Sequence, residues 1–544
     1  MAAHPDKLAK AILAREEFER ADRLDLEALW QRVALYNIPR RATFTDEVSR
    51  GVQRNRFVLD STAPRSLELF ASFLHTLLNN PATQWFKIKV EDDHELNKDK
   101  QVQKWMEQAQ KIMLRAMSSQ SANLYPQLYQ IYLDLGAFGT AILYVETDDA
   151  GRLRLRAYHL ADCLITTNSA GFVDGMYRQF NLSPRQAKQR WPDRALGRQV
   201  EEALAKGGKK VRFIHAVFSR DDEELASLVP KRILNRGMPF VSVWVNAIDR
   251  KTVGVGTFEE FPYMVPRWYT VRGDKYGRSP AMTVLPSVQM VNRMKETILR
   301  GAEKLVDPPL LLPDGGLVSP IRLFPGGISF SEGTVKPEAL IPPGASRIEV
   351  GNALLEKEQE AIREGYFVNL FQTPGSPVKT ATQVLEEVDE RNRAVSPMLI
   401  NTQSELFHPF INRVFNIMMR AGRFPELPAA LEGLTIDIEY ISPLAASQQQ
   451  MDGLAVLRLF EGLAPWSEID PGIFDNFDMD EVASVVHKAS GAPASIMRTK
   501  SKVVDIRKAR QDRQAADRAA GQAFEGAQAV AKLIAAQNKG QQAA

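Results

Sequence analysis

The chain has little of the chemistry that holds metals or disulfides. Its 544 residues include one cysteine, Cys163, and seven histidines that show no regular ligand spacing. A single cysteine excludes a disulfide within the chain and a cysteine-rich metal site, and zinc sites need His or Cys ligands at short intervals. The sequence therefore predicts no bound metal and no cofactor, and the single cysteine fits a reducing cytoplasm.

Long hydrophobic runs are missing as well. No uninterrupted apolar stretch approaches the roughly 20 residues needed to span a bilayer. The N-terminal segment MAAHPDKLAKAILAREEFER is charged throughout and lacks the apolar core of a signal peptide. We therefore expect a soluble protein that stays inside the cell and has no membrane contact.

Neither sign of charge dominates the chain. Lysine and arginine number 69 against 66 aspartates and glutamates, so the formal net charge is only +3. Sequence-specific DNA-binding domains usually show a stronger basic bias, concentrated on one face. The near balance of charge therefore allows nucleic acid to lie nearby but does not favour tight binding of it.

Catalytic signatures are absent too. The sequence contains no P-loop motif, no G-x-S-x-G, no H-E-x-x-H and no protein-kinase motif set. Two acidic clusters, Glu91–Glu95 and Asp221–Glu224, are candidates for binding the divalent cation of a nuclease. Adjacent carboxylates on loops are more often simply hydrated, so the sequence predicts that the protein is not an enzyme.

The first half of the chain contains amphipathic helices followed by short strands. Four stretches have the apolar spacing of helices: residues 6–37, 62–79, 95–118 and 122–136. TQWFKIKVEDD lies between the second and third of them and predicts a strand. From Gly139 to Val265 the period changes towards two, in TAILYVET, RLRLRAYHL, VRFIHAVFS and FVSVWVNAI, with one helix near 183–206. This order predicts an α+β fold, mainly helical, with more than one domain.

Two longer helices follow, separated by a segment rich in proline. Ser279 with Pro280 forms an N-cap and a first-turn proline that start the first helix, and Pro286 should kink or restart it. Asn352 is the predicted N-cap of the second helix. Between them, residues 306–350 combine many prolines and glycines with short apolar pieces, which predicts a small knob containing β-structure.

The two helices carry opposite net charge. Residues 287–304 contain four basic and two acidic side chains, whereas residues 353–370 contain four acidic and two basic ones. We expect these helices to pack antiparallel and to present charges that pair with neighbouring subunits. Each exposed pair contributes only roughly 0–1 kcal/mol, so such pairs would set register more than stability.

A third helix is predicted after the loop FQTPGSPVKT. Thr380 and Gln383 match a capping box, and the helix should continue to about Gly422, broken at Pro397 and Pro409. A helix of roughly 40 residues is about 60 Å long. Few compact single domains need that length, whereas a subunit that extends radially in a ring does.

The C-terminal part of the chain predicts one strand and several helices. LTIDIEYI has the pattern of a strand, and helices are expected near 445–462 and 478–489. From about residue 499 the chain is rich in Ala, Gln, Arg and Lys and predicts a helix with a narrow apolar stripe. An oligomerisation helix and a solvated, frayed end both fit that composition.

The order helix, knob, helix, loop and long kinked helix resembles the head-to-tail connector, or portal protein, of tailed bacteriophages, in particular the short-tailed type. The segments that carry the resemblance are LWQRVALYNIPRR, LDSTAPRSLELFASFLHTLLNNPATQWFKIKV, LGAFGTAILYVE, YGRSPAMTVLPSVQMVNRM, the DPP after the first long helix, and TATQVLEEVDERN. They span about residues 20–440 in the family's order, and the likeness is weakest in the last hundred residues.

The resemblance implies a portal fold with a wing, a stem of two antiparallel helices, a clip, a tunnel loop and a helical crown. The implied division is 1–265 wing, 266–304 first stem helix, 305–351 clip, 352–370 second stem helix, 371–380 tunnel loop, 381–444 long kinked wing helix and strand, and 445–544 crown and C-terminal helix. Whether the last helix forms a barrel stays open.

The resemblance also implies a role and partners. The subunits would form a ring, usually of twelve, at one capsid vertex, through which double-stranded DNA is packaged and later ejected without sequence-specific binding. Terminase and then a tail adaptor would dock on the clip, and major capsid and scaffolding or internal core proteins would contact the ring. The protein would assemble in the host cytoplasm and reside in the virion. The alternatives are another phage neck or capsid protein, or a metal-dependent nuclease.

Four basic residues are candidates for weak contacts with DNA. A channel that passes any sequence must not bind DNA firmly, because each neutralised phosphate adds a salt-dependent contribution to affinity. Lys379 in the tunnel loop, and Arg293, Lys295 and Arg300 on the first stem helix, are the candidates. The alternative for Lys379 is a solvated loop lysine, and for the stem residues it is ion pairing between subunits.

Overall fold

The computed structural model of the chain describes residues 6–45, 54–80, 85–90, 96, 99–148, 150–308, 310–314, 322, 324–332, 338–339, 348–371, 399–431, 436–440, 443–465, 471–490, 496–498, 502–518 and 532. The chain divides into two compact units. One comprises Met1–Lys89, Ala109–Pro425 and Asp437–Ser447, and the other comprises Val90–Gln108, Glu426–Ile436 and Gln448–Ala544. Among the described residues, no helix combines the length and the apolar character needed to cross a membrane.

The N-terminal helices lie close to their predicted positions. They are α1 (Lys7–Asp22), α2 (Leu24–Asn37), α3 (Thr62–Leu78), α4 (Lys100–Met117) and α5 (Leu124–Phe138), with strand β1 (Phe86–Val90) between α3 and α4. The predicted helix over residues 6–37 is wrong in one respect, because it is divided at Arg23. The buried Arg23 guanidinium donates to the carbonyl oxygens of Leu160 (3.0 Å) and Cys163, and to the Glu27 carboxylate (2.9 Å). Those partners are distant in sequence, so helical periodicity alone does not reveal the break.

Two antiparallel sheets follow, in the orders β3-β2-β9 and β4-β5-β6-β7-β8. Their strands are β2 (Ile142–Thr147), β3 (Leu153–Tyr158), β4 (Cys163–Thr167), β5 (Val173–Leu182), β6 (Val211–Ser219), β7 (Phe240–Asn246), β8 (Lys251–Phe258) and β9 (Tyr263–Met264). The four strands predicted from the sequence, β2, β3, β6 and β7, are confirmed. β4, β5, β8 and β9 were not predicted, and Gly175, Gly254 and Gly256 interrupt the β-branched pattern of β5 and β8.

Short helices connect these strands. They are α6 (Pro184–Arg190), α7 (Arg198–Lys206), α8 (Glu223–Ser227) and α9 (Lys231–Leu234). The single helix predicted near 183–206 is therefore wrong. Pro192 follows the end of α6 at Trp191, and Gly197 precedes α7 with a φ of 112°, a left-handed conformation that favours glycine. These two residues separate the helices.

The five-stranded sheet has an apolar core on each face. Alternate residues of β6 point to opposite sides, as strand geometry requires. Ile214 packs with Ile12 of α1 on one face, whereas Phe213 packs with Trp191 and Val200 on the other. Helices on both faces therefore exclude water from the sheet.

A buried histidine joins the two sheets. His215 of β6 contacts the Tyr263 hydroxyl of β9 through Nδ1 (2.6 Å) and Ser242 Oγ through Nε2 (2.9 Å), and its ring stacks on Trp244 at 3.7 Å between centroids. Burial, with the nearby charge of Arg178, lowers the pKa of His215 well below its ordinary value. The imidazole is therefore neutral in the folded chain.

α10 (Pro280–Val306) and α11 (Ile348–Gly365), followed by the short α12 (Val368–Phe371), are the predicted pair of longer helices. The N-cap at Ser279 is confirmed, since its Oγ accepts from the Met282 amide (3.1 Å). Pro286 does not restart α10, because only the bond to the Met282 carbonyl is lost within an otherwise continuous helix. The N-cap prediction for Asn352 is wrong, because α11 already begins at Ile348.

A small sheet lies between these helices in sequence, as the predicted knob requires. β10 (Leu310–Asp314) pairs parallel with β11 (Ile328–Glu332) and antiparallel with β12 (Glu338–Ala339). Gly326 has a φ of 68° and lies in a turn just before β11. The parallel pairing of β10 and β11 was not predicted.

The third long helix is described only at its C-terminal end. Residues 372–398, which contain the predicted tunnel loop and capping box, lie outside the described residues. A π-helical turn, Gln403–Phe407, leads directly into α13 (His408–Arg420), so the predicted break at Pro409 is wrong. Gly422 has a φ of 61° and ends the helix, as predicted.

Two buried ion pairs hold this helix on the sheets. Arg267 donates to Glu405 of the π-turn through its backbone N–H (2.8 Å) and Nε (2.9 Å). Arg413 donates to the carbonyl oxygen of Val145 (3.1 Å) and to the Glu260 carboxylate (3.1 Å). Both guanidinium groups are buried, so loss of either acid would leave an uncompensated charge.

The remaining described elements agree with the C-terminal predictions. They are β13 (Ile436–Tyr440), which pairs with β1, then α14 (Pro443–Leu463), α15 (Met479–Ala489) and a helix over 502–518. Arg507 on the last helix pairs with Asp480 of α15 (2.5 Å).

His215 makes stability depend on pH. The unfolded chain protonates this residue near its ordinary pKa of 6.5, whereas the folded chain does not. The free energy of unfolding should therefore fall as pH drops below about 6.5, by about 1 kcal/mol at pH 5.5 from this group. His215→Gln should remove this part of the pH dependence of the free energy of unfolding. We would compare urea unfolding of both proteins at pH 7.5 and 5.5, and an equal pH dependence of the two would contradict the assignment.

Candidate functional site: an antiparallel helix pair

α10 and α11 run antiparallel and meet through glycine. A Cβ at Gly365 would overlap Val284, and one at Gly351 would lie 3.5 Å from Ile298. Moving 14 residues along α11 therefore moves 14 residues backwards along α10. The predicted antiparallel packing is confirmed, and at these two positions apolar side chains of α10 lie against the bare backbone of α11.

One end of the pair is packed in the body of the unit and the other projects from it. The buried residues of α10 end at Asn292, and none of residues 293–306, all of which are described, is buried. Val306 is 87% exposed at the far end. α11 follows the same gradient, from Val350, which is 61% exposed, to the buried Ile362.

Asp60 ties both helices to the body where the pair begins to project. Its Oδ2 accepts from Lys295 Nζ of α10 (3.0 Å) and from Gln359 Nε2 of α11 (2.8 Å). Asn292 of α10 completes the contact, because its Oδ1 accepts from the backbone N–H groups of Leu59 (2.7 Å) and Asp60 (3.1 Å). We call Asp60, Asn292, Lys295 and Gln359 the junction.

The junction carboxylate is ionised. Burial alone raises the pKa of Asp60, but hydrogen bonds from Thr62 and Lys295 and the charge of Lys295 outweigh it, so the pKa lies below its ordinary value. Asp60 is buried, whereas Lys295 is half-buried. Removal of the carboxylate would therefore leave Lys295 without its counterion.

The packed end of the pair is held by two further hydrogen bonds. Ser279 Oγ donates to the carbonyl oxygen of Ala137 at the end of α5 (2.8 Å). Tyr366, directly after α11, donates its hydroxyl proton to Asn37 Oδ1 of α2 (2.6 Å). Both helices are thus bonded to the N-terminal helices.

The predicted DNA-contact residues lie in different environments. Lys379 lies outside the described residues. Lys295 belongs to the junction. Arg300 pairs with Glu296 one turn before it (2.5 Å) and is well exposed. Arg293 is exposed, and no ion pair is found for it among the described residues.

The opposite charges of α10 and α11 do not pair with each other. The ion pairs of α11 and of the projecting part of α10 are local, Arg363 with Glu360 (2.7 Å) and Arg300 with Glu296, and no described pair joins the two helices. The two helices therefore do not pack through their unlike charges. The charges remain on the outer surface of the pair.

A shallow groove of about 320 Å³ follows one edge of the pair. Met290, Met294 and Ile298 of α10 and Gly351 of α11 line it, with Arg293 and Thr297 at the rim. The groove is open to solvent and mostly apolar.

The acidic clusters do not form a metal site in the part of the chain that the structure describes. Asp222 caps α8 by accepting from the Leu225 amide (3.2 Å). Glu91–Glu95 lies outside the described residues. No group of three or more His, Cys, Asp or Glu is placed to hold a metal ion among the residues described.

Sequence reasoning named Lys295 only as a candidate for DNA contact, and it did not predict the junction or its other three residues. Asn292 was detectable, since it is a polar residue beside Val288 and Val291 in the apolar stripe of α10. Asp60 and Gln359 carry no local signal, because they meet only after the chain folds.

Asp60→Asn should loosen the projecting pair. The amide keeps the shape but leaves Lys295 unpaired, so the free energy of unfolding should fall by about 1–3 kcal/mol. Hydrogen exchange in residues 293–300 should accelerate. Glu360→Gln, the same change at an exposed ion pair of α11, is the control and should leave the free energy of unfolding nearly unchanged. Equal behaviour of the two variants would contradict the junction.

Several known proteins are similar to this chain. The chain is 27% identical to the "Probable portal protein" of Bordetella phage BPP-1 over 534 residues, which is 96% of this chain and 95% of that one. It is 26% identical to the "Portal protein" of Salmonella phage epsilon15 over 519 residues, covering 92% and 91%. A chain from the virion of a native gene transfer agent particle matches 80% of this chain and 90% of its own length, at 11% identity and a TM-score of 0.36, which is too low to carry an argument.

The match to a sequence family covers most of the chain. The family is described as "Bacteriophage head to tail connecting protein", and its model matches residues 9–497. The matched range includes all of the described helices and strands except the first two residues of α1 and the helix over 502–518. This chain therefore belongs to the bacteriophage head to tail connecting protein family.

Proposed function

We propose that this protein is the portal subunit of a tailed phage. In this proposal it forms a ring at one capsid vertex, and double-stranded DNA passes through the ring during packaging and ejection. The observation that carries the proposal is the family match over residues 9–497, together with two relatives named as portal proteins that align over more than 90% of both chains. Terminase and later a tail adaptor would dock on the ring, and capsid and scaffolding or internal core proteins would surround it.

We assign the projecting helix pair to the stem and the small sheet to the clip. The stem helices then run over Pro280–Val306 and Ile348–Gly365, slightly longer at the clip end than the sequence implied. Residues 1–265 would be the wing, 371–380 the tunnel loop, 381–444 the long kinked wing helix and strand, and 445–544 the crown. The support is the order of the elements and the way the pair leaves the body of its unit.

The surface of the projecting half favours assembly. Several large apolar side chains are exposed there, among them Leu299, Val306, Val350 and Leu354. Isolated soluble proteins seldom expose several such residues together, and contiguous apolar surface usually marks an interface. Neighbouring copies in a ring would cover it.

We retain Lys379 as the principal candidate for a weak phosphate contact. Among the stem candidates, Lys295 is the least suited because Asp60 neutralises it. Arg300 shares its charge with Glu296, and Arg293 borders an apolar groove. A channel with few free cations suits sliding, because each phosphate contact strengthens binding at a given salt concentration.

Purified protein should form closed rings. Electron microscopy down the symmetry axis should show about twelve subunits around a hole wide enough for duplex DNA, as a cyclic assembly of identical contacts requires. The protein should be imaged over a range of concentrations, because assembly depends on mass action. A stable six-fold ring or a closed shell would contradict the proposal and favour another phage structural component.

Lys379→Glu should reduce packaged DNA without preventing ring formation. The substitution replaces a phosphate-attracting group by a repelling one at the proposed channel wall. Packaged genomes per particle would be counted after complementation of a phage that lacks the subunit, with ring formation followed by size-exclusion chromatography. Lys379→Arg keeps the charge and is the control. Unchanged packaging in the glutamate variant would remove Lys379 from the channel.

A further inference from the structure

The projecting half of α10 has two different edges. Nine residues separate Met290 from Leu299, and at 100° per residue this places them on opposite sides of the helix. Met290 is 43% exposed and borders the groove, whereas Leu299 is 48% exposed on the other edge. Each edge thus exposes a large apolar side chain, but one edge is concave and the other is a ridge.

The charges of α10 follow the same division. Arg293 lines the groove, and Arg300 lies seven residues further along the same side of the helix. Glu296 and Glu303 are also seven apart and lie towards Leu299. A seven-residue interval is nearly two full turns, so each pair forms a row along the helix. The helix therefore carries a basic row beside its groove and an acidic row beside its ridge.

Only two of these four charged side chains form an ion pair among the residues that the structure describes. Glu296 and Arg300 pair across one turn, and both are exposed. Arg293 and Glu303 are exposed and have no ion-pair partner among the residues that the structure describes. The groove is equally unfilled, because Gly351 contributes no side chain where α11 faces Ile298.

We propose that the groove of one copy receives Leu299 of the next copy, an inference that rests on the proposed function. Glu296 and Glu303 of the inserted ridge then meet Arg293 and Arg300 beside the groove. All three contacts need the same offset. Each glutamate lies three residues after its arginine, and the same offset sets Leu299 opposite position 296, between Met294 and Thr297 of the groove lining. Three residues correspond to about 4.5 Å along a helix.

This contact is head-to-tail, because ridge and groove are different surfaces of the same helix pair. Such a heterologous contact leaves one free groove and one free ridge after every addition, and it closes only when the rotation completes a ring. A symmetric dimer would not use it. Where the rotation closes the ring, this one type of contact is enough for the whole stem.

A second copy fits this edge better than DNA does. The groove is lined by methionine and isoleucine side chains, and a phosphate backbone offers nothing apolar to fill it. The ridge supplies both the apolar side chain and the matching acids. Arg293 and Arg300 are therefore assigned to the contact between subunits.

Mixing two charge-reversed variants tests the contact directly. In Arg293→Glu alone every groove would face a like-charged Glu296, and in Glu296→Arg alone every ridge would face a like-charged Arg293. Like charges in contact should reduce ring formation by about tenfold or more at a given concentration in each variant alone. In an equal mixture, alternating copies match every charge, so rings should return, with equal numbers of both chains by native mass spectrometry.

The mixture separates the contact from effects inside one helix. A purely intrahelical effect would leave the mixture as impaired as its components, and this outcome would overturn the proposal. Normal ring formation by both variants alone would overturn it as well, and loss of packaging in those intact rings would identify DNA as the partner instead. Arg198→Glu, the same charge change on the exposed face of α7, is the control and should assemble normally.

Removing the ridge side chain is an independent test. Leu299→Ala should reduce ring formation by about tenfold or more at a given concentration, while circular dichroism and the melting temperature of the monomer stay close to wild type, because Leu299 is 48% exposed. Rings formed normally by this variant would also overturn the contact. Failure of the wild-type chain to form rings at any concentration would instead count against the proposed portal function.

Discussion

The attachment of a projecting helix pair through one buried carboxylate is the constraint on which the rest of the structure depends. Beyond Asn292, α10 has no buried residue within its described length, so core packing supports only the inner half of the pair. Asp60 receives a hydrogen bond from each helix on the same oxygen atom. Because an unpaired buried charge is costly, the two helices are held together and in one orientation. An exposed ion pair would not give that orientation.

The junction also explains how the surface charges become available. Apolar side chains of α10 lie against Gly351 and Gly365 of α11, and no described ion pair joins the two helices, so their contact does not use the surface charges. The rows of arginine and glutamate can then act outside the chain without loosening the pair. A near-neutral chain with locally ordered charges is able to specify its neighbours and still bind DNA weakly.

Local signals predicted much of this fold, and contacts between distant residues explain what they missed. The cap at Ser279, the helical periodicity of α3, α5 and α10, and the alternation in β6 are local, and each was predicted correctly. Arg23 breaks a helix because it reaches carbonyl oxygens near residue 160, and Asp60 becomes a site only when α10 and α11 meet it. Asn352 was misread because polar residues in the first turns of an exposed helix resemble caps.

Pro409 does not break the helix, and the π-helical turn that precedes it holds one partner of the Arg267–Glu405 ion pair. Proline has no N–H to donate and its ring crowds the preceding turn. The π-turn Gln403–Phe407 inserts one extra residue just before it, and such turns commonly relieve local strain in a continuous helix. Glu405 lies in that turn and receives the backbone and side-chain N–H groups of Arg267. The buried pair and the irregular turn therefore depend on each other: the proline favours the turn, and the ion pair fixes its place along the helix.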